Sequence, residues 1–296
     1  MRTSCLVGAL IVFFVVVLCG EVLADRYTWV GSVSDNWATM GNWTVSMGPE
    51  DDTYEIGSAK TTYWPVIHSN TDVMLSQMDP FTASANPILT LDGGSIWQGN
   101  TYFYVGRVSG GTVTLNVNSG SIDHTRWLRV GDGGTGLVDM TGGEINADAV
   151  LVGSGGQVTM SGGQMFVGGD DFFEASFEIA AGGQLDVGPD GYLRLDSTAL
   201  QDGTRVKALG ALNIVANSSS SGRLVIPWYI DSVAGLLDYF GDGSTDGNVN
   251  AIYNGVPGQF VFSYPGGLFT EITVIPEPTT LVLLVVGGLT LVRRKR

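Results

Sequence analysis

TGLVDMTGGEINADAVLVGSGGQVTMSGGQMFVGG, residues 135–169, carries the pattern that decides the fold. Apolar and polar side chains alternate through Gly136–Met140, Gln157–Met160 and Gln164–Val167. That period of two turns one face of a strand inward and leaves Asp139, Thr159 and Gln164 outward. The strands are separated by the turn pairs Gly142-Gly143 and Gly162-Gly163, and glycine supplies the positive φ that sharp corners need. Similar pairs stand at Gly93-Gly94, Ser119-Gly120 and Gly182-Gly183, and measured on the second residue the five are spaced by 26, 23, 20 and 20. A second marker follows each pair: Val105-Gly106, Val130-Gly131, Val152-Gly153, Val167-Gly168 and Val187-Gly188. Further alternating runs lie at Thr112–Val117, Trp127–Val130, Gln184–Val187 and Tyr192–Leu195.

A repeat of about 20 residues with two or three short strands suits one coil of a parallel β-helix. Coils would stack about 4.8 Å apart and bury a column of Val, Leu, Ile, Met and Phe. The reading is an all-β, glycine-rich, right-handed parallel β-helix; the rival is a β-sandwich or a barrel of hairpins. Tight Asn-Gly hairpin pairs are scarce in this region, and hairpins do not require glycine markers in register. The shrinking spacings predict outward loops on the early coils, at Gly99–Tyr104 and His124–Trp127.

Composition agrees. Of 296 residues 43 are glycine, and charged residues make up 15%, against roughly 25% in an average soluble domain. Lys60, Lys207 and Lys295 are the only lysines, and the net charge is −15. Such a chain is not expected to bind nucleic acid, because phosphate affinity comes from Lys and Arg. Glycine has no three-residue period, which excludes collagen.

Residues 1–24 read as a secretory signal peptide. Arg2 opens it, Leu6–Leu18 is an apolar run, and Val22-Leu23-Ala24 precedes a cut between Ala24 and Asp25. An uncleaved anchor is the alternative, and Cys19-Gly20 also admits a lipoprotein reading. Both cysteines, Cys5 and Cys19, lie in this leader, so the mature chain is expected to have no disulfide and no cysteine-based metal site. The partners so implied are the Sec translocon and signal peptidase.

At the other end Ile275-Pro276-Glu277-Pro278-Thr279-Thr280 precedes the apolar run Leu281–Val292 and the basic tail Arg293-Arg294-Lys295-Arg296. The prolines forbid a helix and leave an extended, accessible peptide around Glu277. Nine Leu or Val residues favour insertion by about −3 to −5 kcal/mol in total. Residues 279–292 would span about 21 Å as a helix, short of a bilayer core of about 30 Å. The four terminal cations act as a membrane stop on the cytoplasmic side. A plain C-terminal anchor would use the same parts. The arrangement closely resembles the PEP-CTERM sorting signal of Gram-negative bacteria, with Ile275 where many members have Val. That resemblance implies processing at Pro276, Glu277 and Pro278 by an exosortase-type membrane protease. It also implies a transient single pass through the inner membrane, then a cell-surface or extracellular location near exopolysaccharide or biofilm material.

Without these ends nine basic residues face 27 acidic ones, a net charge of −18. Five segments follow: 1–24 signal peptide, 25–85 Trp-rich capping region, 86–200 repeat β-helix, 201–272 C-terminal β region, and 273–296 sorting signal. The capping region holds Trp29, Trp37, Trp43 and Trp64. Its Tyr27-Thr28-Trp29-Val30-Gly31, Asn36-Trp37 and Asn42-Trp43 resemble the opening of autotransporter-like and planctomycete β-solenoid surface proteins. Bulky aromatics suit the closing of a hydrophobic end; the alternative use is a platform for sugar rings. Past Leu200 the period fades. Lys207–Val215 and Arg223–Ile226 read as strands, Ser232–Phe240 as a short helix capped by Ser232, and residues 248–274 as strands broken by glycine and proline.

Few residues suggest chemistry. His68 and His124 have no paired ligand spacing around them. Asp170, Asp171 and Glu174 are the densest acidic group of the repeat, and Arg126, Arg129 or Arg194 would be the base of a polysaccharide lyase built on it. Asp242–Gly247 has the opening spacing of a Ca²⁺ loop, but Tyr253 stands where the bidentate acid belongs, so it reads as a polar turn. The sequons at Asn42 and Asn217 carry little weight in a bacterial protein. Neither cofactor nor metal is called for, and the body reads as a non-enzymatic surface or matrix protein. A secreted lyase or glycosidase on the same helix and a carbohydrate-binding module are the alternatives.

Overall fold

The computed structural model describes residues 24–48, 53–55, 64–69, 71–74, 77–78, 86–97, 102–168, 176–196, 200, 206–241, 247–265 and 269–277. The signal peptide up to Leu23, the acidic group Asp170, Asp171 and Glu174, the Asp242–Asp246 loop, and everything from Pro278 to Arg296 lie outside them. Among the described residues no helix is long and apolar enough to cross a membrane.

The chain is a β-solenoid with three parallel ladders around one core. The first ladder stacks β4 (Val66–His68), the front of β7 (Ile88–Trp97), the front of β9 (Thr112–Val130), β10 (Thr135–Met140), β12 (Gly156–Met160), β15 (Gln184–Val187), β18 (Ala211–Ala216) and β20 (Val249–Tyr253). The second stacks β5 (Asp72–Met74), the back of β7, the middle of β9, the front of β11 (Glu144–Val152), β13 (Gln164–Val167), β16 (Tyr192–Leu195) and β19 (Arg223–Ile226). The third stacks β6 (Gln77–Met78), β8 (Tyr102–Val105), the end of β9, the end of β11, β14 (Ser176–Ile179) and β17 (Val206–Ala208).

The alternation seen in the sequence fills this core column by column. Leu89, Leu115, Val138, Val158, Leu185 and Leu212 superpose on the first face. Ile96, Ile122, Ile145, Met165, Leu193 and Leu224 do so on the second, and Phe103, Leu128, Val150, Phe177 and Val206 on the third. All are buried, and each such side chain contributes about 1.5–3 kcal/mol. Outward polar residues pair along the axis as well: Asn250 Nδ2 donates to Asn213 Oδ1 at 3.0 Å, and Asn213 Nδ2 donates to Asp186 Oδ1 at 2.6 Å.

The coil frame differs from the one read off the glycine spacing. Gly120, Gly143 and Gly163 do stack at the corner between the first and second ladders, but the next residues there are Gly188 and Gly191. Gly182-Gly183 turns a different corner, from third ladder to first, above Val152 and Gly153. Val167-Gly168 and Val187-Gly188 likewise leave the corner that Val105-Gly106, Val130-Gly131 and Val152-Gly153 share, because Val167 ends a second-ladder strand and Val187 a first-ladder one. Along the first ladder the coils shorten from Leu89 through Leu115 and Val138 to Val158, then lengthen again through Leu185 to Leu212. The added length falls between Val167 and Ser176 and between Leu195 and Val206. Outward loops were expected on the early coils, yet Tyr102–Tyr104 belongs to β8 and His124–Trp127 to β9, both paired in the third ladder or at its entry. Gly99–Thr101 lie outside the described residues.

Both ends are closed. A small sheet of β1 (Ala24–Trp29), β2 (Trp43–Gly48) and β3 (Thr53–Glu55) covers the start. Ala24 and Asp25, read as the cleavage junction, open β1 opposite Gly48 and Met47. Trp29, Trp37 and Trp43 are at most 8% exposed, and their rings pack at 4.6 to 6.2 Å between centroids. Trp43 Nε1 donates to Trp37 O at 2.9 Å. These three tryptophans are therefore a cap and not a sugar platform, since no ring face reaches solvent. Trp37 N donates to Val66 O, so the cap adds a rung to the first ladder.

At the far end the helix α1 (Val233–Tyr239) starts at Ser232, whose hydroxyl accepts from Gly235 N at 3.2 Å. Its apolar face lowers Leu236 and Tyr239 onto the core, with Phe240 following. Phe240 packs edge-on against Phe177 at 6.0 Å. The antiparallel strands β21 (Val256–Ser263) and β22 (Thr270–Pro276) complete the cap, with β22 paired to β19. Parallel stacking thus runs from Val66 to Tyr253, into both segments that flank the repeat region read from the sequence.

Candidate functional site

One outward face combines aromatic rings with positive charge. On the third ladder Phe103 and Leu128 point inward, so Tyr102, Tyr104, Trp127 and Arg129 must point outward. Register sets Tyr102 beside Trp127 and Tyr104 beside Arg129. The Tyr102 and Tyr104 rings stack at 5.9 Å, with 24° between their planes. The Arg129 guanidinium carbon lies 4.9 Å from the Trp127 centroid, 5.2 Å from Tyr102 and 5.9 Å from Tyr104. Arg107, just past the end of β8, sits 4.7 Å over Tyr104, and Arg126 sits 6.0 Å over Tyr102. Each such contact contributes about 0.5–1 kcal/mol at an exposed site.

Arg129 is held rather than free to swing. Its Nη1 donates to Asp132 Oδ2 at 2.7 Å, and its Nε is buried with no hydrogen-bond partner. Asp148 lies opposite Arg126 by register, between the pairs Ala147–Thr125 and Ala149–Trp127. Three of the nine basic residues of the body are gathered here. Tyr102 is 38% exposed, and Trp97, at the end of the same coil's second-ladder strand, is 47% exposed.

The second ladder carries a related group. Arg194 lies beside Phe166 in register and 4.8 Å over the Phe269 ring, with Nη2 donating to Asp196 at 2.8 Å. Burial opposes its charge, but Asp196 and Tyr192 together outweigh burial, and its pKa lies above the ordinary arginine value. Arg223 covers Tyr192 at 4.8 Å. Here Phe269 from the C-terminal cap closes over the arginine, and the arrangement ties that cap to the coils.

Of the residues named as possible lyase bases, Arg126 and Arg129 meet on the third ladder, and Arg194 stands apart on the second. His68 is half-buried in β4, and His124 lies in β9. No three His, Cys, Asp or Glu residues converge on a metal-sized space among the described residues. Asn42 is fully buried and its side chain is fully used: Oδ1 accepts from Val33 N and Ser34 N at 2.9 and 3.0 Å, and Nδ2 donates to Ser34 Oγ and Asn36 O. A groove of about 800 Å³ on the C-terminal cap is bordered by Val233, Val256, Pro257, Phe260 and Glu277.

The residues read as a sorting motif begin at the end of β22. Pro276 is the last residue of β22, opposite Gly258, and Glu277 follows half-buried at the edge of that groove. Proline is tolerated at a strand end because no further ladder bond needs its N–H. Pro276 and Glu277 thus continue the line of the strand but lie against the cap instead of standing free of it. Sequence reading picks out Arg126 and Arg129 as possible bases and sets His124, Arg126 and Trp127 side by side; it misses their union with Tyr102 and Tyr104, a coil earlier in the chain. No family model, curated protein or solved structure matches the chain.

Proposed function

We propose that the protein is an exported, non-catalytic scaffold of the cell surface or extracellular matrix, delivered through the tail that follows β22. The observation that supports this reading is the position of Pro276-Glu277 at the C-terminal end of β22, the last described strand. A protease acting there would release the closed solenoid without cutting any coil. An exosortase-type membrane protease is the processing partner, after Sec export and signal-peptide removal. The stacked ladders supply stiffness: coil is bonded to coil along three faces, and both hydrophobic ends are covered, so the rod stays soluble alone.

Intact-mass spectrometry of protein recovered outside the cell tests this. The expected chain starts at Asp25 and ends near Pro276. Replacing Pro276, Glu277 and Pro278 with alanine should leave the C-terminus uncut in the membrane fraction. A recovered chain that keeps Leu281–Arg296, or a triple variant processed like the parent, overturns the reading.

A further inference from the structure

We propose that the Arg129-centred face of the third ladder binds an acidic polysaccharide, a glycan bearing one carboxylate on some or all of its sugars. Its setting rests on the exported-scaffold reading; the contact chemistry does not.

Charge placement is the first argument. On a chain of net charge −15, Arg107, Arg126 and Arg129 come together on two successive coils. Among the described residues, Asp132 and Asp148 are the carboxylates set against these three arginines by hydrogen bond or register. A small cationic island on an acidic rod attracts a ligand of low charge density. It does not suit nucleic acid or a densely sulfated chain, which the surrounding acidic surface repels.

Arginine geometry is the second. Arg129 lies over three rings, and of its donors only one Nη1 hydrogen has an assigned acceptor, Asp132. The ring contacts and the Asp132 bond fix the guanidinium plane before any ligand arrives, so little side-chain freedom is lost on binding. Nη2 is left to donate to a carboxylate oxygen from outside. Charge-assisted bonds of this kind are about twice as strong as neutral ones.

The third argument is the aromatic surface beside the charge. Tyr102 exposes ring area on the charged face itself, and Trp97 exposes more at the end of the preceding strand of the same coil. An exposed ring with a polar tip offers an apolar face to the C–H side of a sugar while its hydroxyl or N–H stays wet. Carboxylate recognition and ring stacking at one place describe a uronate-type sugar better than either a simple anion or a neutral sugar. Coils about 4.8 Å apart also present these groups in a row along the rod, which suits a polymer more than a single sugar.

Affinity electrophoresis of the full-length chain in mild detergent, with polygalacturonate in the gel, tests the assignment. The expected result is clear retardation that fades as salt rises to about 0.5 M. Arg129→Ala should weaken retardation by about tenfold or more, and Tyr102→Ala by about threefold. Arg194→Ala, which removes the comparable arginine of the second ladder, should leave it unchanged. Arg129→Lys keeps the charge without the flat stack and should lose several-fold, with an unfolding midpoint near the parent's to separate binding from folding. Absence of retardation overturns the proposal, as does retardation that Arg129→Ala does not change. Equal retardation by neutral dextran would reduce the face to a stacking surface, and equal retardation by dextran sulfate would remove the carboxylate preference; either result overturns it. These outcomes are independent of the mass measurement, because they need neither export nor processing.

Discussion

Three glycine-to-alanine replacements separate what the corners demand. Gly255 has φ +78° and no heavy atom within 4 Å of where a Cβ would stand, so alanine there meets only the left-handed backbone penalty. That penalty is about 1–2 kcal/mol, partly offset by about 0.4–1 kcal/mol from a less flexible unfolded chain. At Gly156 φ is ordinary, but a Cβ would stand 2.2 Å from Val130 O and 2.9 Å from Val152 Cγ1. The coil below must move, at about 1–3 kcal/mol. Gly131 combines both: φ is +67°, and a Cβ would lie 2.0 Å from Gly156 N and 2.2 Å from Gly155 C. With the same unfolded-chain offset at each site, the expected losses are about 1.5 kcal/mol or less for Gly255→Ala, about 2.5 or less for Gly156→Ala and about 1–4.5 for Gly131→Ala. Urea unfolding followed by tryptophan fluorescence measures them, since Trp29, Trp37 and Trp43 are buried in the N-terminal cap. Thermal midpoints should fall in the same order, by about 2–4 °C per kcal/mol for a body of this size. A Gly131→Ala protein as stable as its parent would refute the stacked corner. So would a Gly255→Ala loss that equals it, because conformation alone would then explain both.

Asn42→Ala orphans the N–H groups of Val33 and Ser34, while the Asn36 carbonyl keeps its bond from Thr39 N, and should lower stability by about 2–4 kcal/mol in the same assay. Asn42→Asp keeps both accepting bonds but turns a second carboxylate oxygen toward the buried Asn36 carbonyl, so it should destabilise as well; an unchanged urea midpoint would refute the assigned amide orientation. Ser232→Ala removes the α1 cap and should cost about 0.5–2 kcal/mol, read from the urea midpoint, and no change would mean that the cap bond carries no weight.

Much of the architecture is legible without coordinates because its causes are local. Alternation in Gln157–Met160 or Gln184–Val187 already assigns each side chain to one face, and the structure buries Val158, Met160, Leu185 and Val187 accordingly. Ser232 declares the helix it caps. The Trp-rich opening declares a closed end, although only burial separates cap from sugar platform. The arginine–aromatic face is illegible for the opposite reason. Tyr102 and Trp127 stand a full coil apart in the chain, and because coil length changes along the solenoid, spacing alone hides which positions coincide.

Local text suffices for an all-β chain with strand-length alternation, glycine at its bends and aromatic closure at its start. Which corner each bend occupies is settled by the folded chain alone. Gly163 and Gly183 end near-identical turn pairs, yet one turns from first ladder to second and the other from third to first. Each corner makes the same local demand, a bend where the neighbouring coil leaves no room for a Cβ, so the text at one corner reads like the text at another. What distinguishes them is the backbone stacked alongside, Gly142 and Gly143 for Gly163, Val152 and Gly153 for Gly183. That partner lies a whole coil away in the chain, and its place follows from the packing of the core columns, not from any residue at the turn.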